Sequence, residues 1–65
     1  MNNPEVPIHE KVLLTLAEAA AYSGIGINTL RDFLNEHSGL TCFVGKKRLI
    51  KREKLRDYLS NISSI

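Results

Sequence analysis

The apolar positions of this 65-residue chain change their spacing several times. Residues 11–14 form a short, mostly apolar run, which predicts a brief strand or extended lead-in. Thr15-Leu16-Ala17-Glu18 fits a capping box: Thr15 accepts from the Glu18 amide, and the Glu18 carboxylate returns to the Thr15 amide. The following residues to Tyr22 are mostly strong helix formers, with Leu16, Ala19 and Ala20 on one face. Ser23-Gly24 ends that two-turn helix, because Gly24 can take the left-handed conformation of a C-terminal cap. Gly24-Ile25-Gly26-Ile27 is a tight connection, and Asn28 is expected to cap a second helix over residues 28–37. In that helix Ile27, Leu30, Phe33, Leu34 and His37 face inward, leaving Asn28, Arg31, Asp32 and Asn35 outside and Thr29 near its start.

Ser38-Gly39 stops the second helix. Residues 40–44 and 48–51 contain strand formers, and Gly45-Lys46-Lys47 between them predicts the turn of a β-hairpin. The last element, residues 52–62, places Leu55, Tyr58, Leu59 and Ile62 at i, i+3, i+4 and i+7, the stripe of an amphipathic helix. Residues 1–10, with two prolines and two asparagines at the start, read as an N-terminal arm, and residues 63–65 should fray. The domain spans residues 11–62 and is mainly α with a small β-hairpin. Its order of helix, turn, helix, hairpin, helix is that of a winged helix-turn-helix.

Composition narrows the class. Apolar residues make up 43% and charged residues 25%, an ordinary globular balance. A chain this short buries only ~60% of its unfolded surface, so one marginal core is expected. One cysteine leaves no intramolecular disulfide, and two histidines with it are too few for a structural zinc. No apolar run approaches the ~18 residues of a membrane span, and no signal-peptide pattern opens the chain. A cytoplasmic module without cofactor or metal is the expectation.

The net charge of +2 conceals an asymmetry. Residues 1–36 carry two basic against five acidic side chains, a net −3. Residues 37–65 carry seven against two, a net +5, and five of the seven lie within residues 46–52. Such density attracts polyanions, of which duplex nucleic acid is the commonest, or it serves only to solvate a hairpin tip. Asparagine and arginine can bond base edges in a major groove, and a narrow basic finger suits a minor groove or its phosphates. The candidate contacts are therefore Asn28, Thr29, Arg31 and Asn35 on the second helix, and Lys46, Lys47, Arg48, Lys51 and Arg52 on the wing. Asp32 and Glu36, one turn apart, oppose deep binding by that helix, unless Asp32 orients Arg31 or a hairpin lysine. His9, His37 and Cys42 offer no nucleophile–base arrangement, so an enzyme is not expected.

Leu14-Thr15-Leu16-Ala17-Glu18-Ala19-Ala20 resembles the opening of excisionase-type DNA-binding domains. Gly24-Ile25, Thr29-Leu30-Arg31, residues 44–52 as the wing, and Leu55, Tyr58 and Leu59 continue the resemblance over residues 12–60. Residues 6–11 look like the start of the excisionases of tetracycline-resistance conjugative transposons. The resemblance implies a mercury-resistance-regulator-like winged helix-turn-helix that is a recombination directionality factor. Such a protein binds and bends the ends of a mobile element and turns a tyrosine-recombinase integrase toward excision, cleaving nothing itself. Carried over by position, Thr29 and Arg31 would face the major groove and residues 46–48 would form the wing. A monomer acting cooperatively on DNA is the expected state. A phage or mobile-element transcription regulator would share fold and contacts, and a basic-hairpin protein-interaction module is a further alternative.

Overall fold

The computed structural model describes residues 6–65. The first half of the expected arm, residues 1–5, lies outside them. The second half forms a 3-10 turn, Ile8–Glu10, and Ile8 packs against the core. The chain then builds strand β1 (Leu13–Leu14), helix α1 (Leu16–Ser23), helix α2 (Ile27–Glu36), a 3-10 turn (Ser38–Leu40), strands β2 (Thr41–Val44) and β3 (Lys47–Lys51), and helix α3 (Arg52–Ser60).

The start of α1 follows its local chemistry. Thr15 Oγ1 accepts from the Glu18 amide at 3.1 Å, and Glu18 Oε1 accepts from the Thr15 amide at 3.0 Å. Gly24 closes the helix at φ 78°, its amide bonded to the Ala20 carbonyl. The start of α2 differs from expectation. The cap is Gly26, whose carbonyl accepts from Leu30, and Asn28 is the second helical residue without a capping bond. A three-residue connection, residues 24–26, suffices, so the helix begins before the polar cap candidate is reached. Ile27 is correspondingly 41% exposed rather than inward.

The hairpin also closes more tightly. Val44 pairs with Lys47, so the loop is Gly45-Lys46 and Lys47 opens β3. Gly45 has φ 64° and Lys46 no positive φ, the two-residue loop with glycine first that matches strand twist. Leu40 belongs to the preceding turn and is buried. β1 adds a third strand that the sequence pattern did not pair: Leu13 and Leu14 lie antiparallel to Lys51 and Ile50, giving the order β1-β3-β2. α3 stops at Ser60, two residues early, where Asn61 Nδ2 bonds the Asp57 carbonyl.

One core joins these elements. Leu14, Ala19, Leu30, Phe33, Leu34, Leu40, Ile50 and Leu55 are buried, so β1, β3 and all three helices each supply at least one residue. Each fully buried leucine contributes about 1.5–3 kcal/mol. Three helices with a three-stranded antiparallel sheet in this order form a winged helix-turn-helix, with α1 and α2 as the helix pair and β2–β3 as the wing.

Candidate nucleic-acid interface

Core packing of Leu30, Phe33 and Leu34 fixes which sides of α2 meet solvent. At 3.6 residues per turn its exposed residues divide into two stripes about 100° apart. Asn28, Arg31 and Asn35 form one, all exposed. Arg31 Nη1 donates to Asn28 Oδ1 at 3.0 Å, so among the described residues Arg31 is held by an amide on its own stripe and not by a carboxylate. Arg48 Nη1 donates to Asn35 Oδ1 at 2.9 Å, so the stripe continues onto the wing. Four side chains rich in hydrogen-bonding groups thereby make one surface across two elements.

Thr29, Asp32 and Glu36 form the second stripe. They line an open groove of about 380 Å³, with Phe33, His37, Tyr58, Ile62, Ser64 and Ile65 on the remaining sides. The two carboxylates that opposed DNA binding in the sequence therefore turn toward α3, away from the wing. Thr29, expected among the contact residues, stands on this acidic side. Asp32 makes no hydrogen bond or ion pair to Arg31 or to a hairpin lysine among the described residues.

The basic residues of the wing differ in exposure. Lys46 in the loop and Lys47 beside it are exposed, while Arg48 and Lys51 are half-buried. Arg52 is different: its side chain is 15% exposed, and Nε donates to the Lys11 carbonyl at 2.6 Å. Its amide also donates to the Val12 carbonyl. Arg52 thus fastens the lead-in to β1 onto the start of α3, and its Nη2 lies 3.7 Å from Glu53 Oε2.

The sequence pattern turned His37 inward but did not reveal its partners. Its ring stacks on Phe33 at 4.3 Å, and Tyr58 meets it edge-on at 4.9 Å. Nδ1 lies 2.9 Å from the Phe33 carbonyl, which can only accept, so Nδ1 carries the proton. Nε2 lies 2.9 Å from the Tyr58 hydroxyl, which can donate to it or accept from it. The cluster locks α3 to the end of α2. Its sequence signal was the i, i+4 spacing of Phe33 and His37, a pair that meets on any helix.

A second anchor holds the other end. Lys11 Nζ contacts Glu18 Oε2, tying the lead-in to α1. The Lys11 ammonium, and then the Thr15 amide, hold the Glu18 carboxyl below its ordinary range.

Comparison with known proteins agrees with this architecture. Residues 13–63 match the family model described as a helix-turn-helix domain. The chain is also 30% identical over 67 aligned positions to the excisionase from transposon Tn916 of Streptococcus agalactiae serotype V, covering the whole of both chains. The chain belongs to the excisionase-type helix-turn-helix family. No solved structure matches it. The helix-turn-helix family segment begins at the first residue of β1 and ends beyond α3, so it takes in the third strand and the closing helix.

Proposed function

We propose that this protein is the excisionase of a mobile element. It binds duplex DNA sequence-specifically at the element's ends, bends it, and directs a tyrosine-recombinase integrase toward excision. The observation that carries the DNA-binding part is the unbroken surface Asn28–Arg31–Asn35–Arg48, which leads from α2 into a wing tipped by Lys46 and Lys47. In this reading the amide and guanidinium groups of α2 meet base edges in a major groove. Lys46 and Lys47 take the neighbouring phosphates or minor groove. The likeness to the Tn916 excisionase over the full chain supports the recombination role.

Bending a site of about 20–30 base pairs by roughly 40–90° costs of order 1–6 kcal/mol, which favours several protomers on adjacent sites. Arg52, committed to the Lys11 carbonyl, serves the domain's integrity and the local field. Fluorescence anisotropy with a labelled random-sequence duplex tests the interface. Four to six neutralised phosphates give a slope of log K against log salt of roughly −4 to −5. No binding at about 50 mM salt overturns the reading. The recombination role is tested by adding the protein to an integrase and a plasmid carrying the element's ends, where excision should depend on it.

A further inference from the structure

Phe43 is 71% exposed, whereas the other phenylalanine, Phe33, is 8% exposed and stacked in the interface of α2 and α3. An isolated apolar residue on a surface needs no explanation in itself. The position of this one does. Phe43 is the register partner of Arg48 on β3, and residues directly opposite in an antiparallel pair share a face. Two residues further from the tip, Thr41 faces Ile50, which is buried in the core. Phe43 and Arg48 therefore occupy the core-side face of the sheet at the point where the wing has outrun the core. On that face Arg48 reaches Asn35 of α2. Val44, the next residue, points to the opposite face with Lys47.

Phe43 thus stands on the α2 side of the wing, opposite a guanidinium that joins the polar stripe of the helix, between that stripe and the Gly45-Lys46 loop. We propose that Phe43 is an apolar DNA-contact residue at the root of the wing, packing its ring against the sugar and base surface rather than the phosphates. The proposal rests on the DNA-binding reading and deepens it. Polar groups on either side fix the register, and the ring supplies the apolar contact that aromatic and aliphatic side chains make with thymine methyls or partly unstacked bases.

The chemistry predicts a signature that a phosphate contact does not share. Removing a cationic contact reduces the salt slope by about 0.9, whereas removing an apolar contact weakens binding by the same factor at every salt concentration. Anisotropy titrations of the wild type, Phe43→Ala and Phe43→Leu on one duplex, across a salt series, separate the two. Phe43→Ala should bind about tenfold more weakly with an unchanged slope, and Phe43→Leu should fall between it and the wild type. Thermal melts of both variants should match the wild type, because the side chain is mostly outside the core. Phe43→Ala binding within twofold of the wild type overturns the proposal, and so does a loss accompanied by a shallower slope. A wild type that binds no duplex at all overturns the DNA-binding reading and this contact with it.

Discussion

Arg48 donates to Asn35 Oδ1 at 2.9 Å, a bond between the second residue of β3 and the last turn of α2. The wing is otherwise a hairpin leaning on the core through its base, so this bond ties its angle to α2, and on the proposed reading that angle sets how both elements meet DNA. Asn35→Ala should leave the fold intact, since both groups are polar and Asn35 is exposed. It should weaken duplex binding by about threefold to tenfold through a loosened wing. A double-mutant cycle with Arg48→Ala provides the check: the two losses should fall short of adding by about 0.5–1.5 kcal/mol. Full additivity would mean that the two residues act on DNA independently.

The wing's charges should divide as their surroundings do. Lys46→Glu with Lys47→Glu places two carboxylates at the hairpin tip and should abolish binding while leaving the melting temperature within a few degrees. Arg52→Ala should do the reverse. It removes the bond to the Lys11 carbonyl, leaves a half-buried acceptor with one partner fewer, and costs about 1–3 kcal/mol. In a domain of this size each kcal/mol lowers the melting temperature by about 4–8 °C. Calorimetry and anisotropy on the same samples distinguish the two behaviours.

Acid should find the Lys11–Glu18 pair. The Glu18 carboxyl is held below its ordinary value of 4.5 when folded, chiefly by Lys11. A lowered folded value means that the stabilisation is complete above the unfolded value and disappears as pH falls through the folded one. Glu18→Gln isolates the ion pair, because glutamine can still bond the Thr15 amide in a capping box. The variant should be less stable than the wild type at pH 7 by under about 1 kcal/mol, the two side chains being partly exposed. The difference should shrink as pH falls below about 4.5 and through the lowered folded value, as melts across the acid range would show. A gap that does not narrow as the pH falls would assign the loss to the cap instead.

What was legible in the sequence was local. Thr15 and Glu18 meet within one helical turn, Gly24 stands where the helix must reverse, and Gly45 permits the hairpin loop, so each element could be read from a few neighbours. The contacts that assemble the interface were not legible, because they join distant residues. Arg52 reaches the carbonyl of Lys11, 41 positions away, and so leaves the set of free wing cations. Leu14 pairs with Ile50, which turns a hairpin into a three-stranded sheet. A helical wheel showed Asp32 and Asn35 both facing out of α2, but only the position of the wing decides that Asn35 lies beside it and Asp32 beside α3. The carboxylates of α2 and its amide stripe therefore lie on different sides of the helix, a separation that only the folded arrangement of wing and α3 defines.

The two glycines with positive φ offer a last separation of fold from function. Gly24 at φ 78° and Gly45 at φ 64° both have open space where a Cβ would stand, so substitution there tests backbone conformation alone. An alanine forced into the left-handed region costs about 1–2 kcal/mol. Gly24→Ala lies in the connection that sets α2 against α1, and should lower the melting temperature by about 4–16 °C while the folded fraction binds duplex normally. Gly45→Ala should cost a similar amount locally. Its strain falls on the loop that carries Lys46, however, and a hairpin that relieves it by fraying moves both lysines out of register with α2. Duplex affinity should therefore fall for Gly45→Ala and not for Gly24→Ala, at a temperature where both variants are folded. Equal affinities for the two would show that the wing's lysines need only proximity to DNA and not a fixed loop.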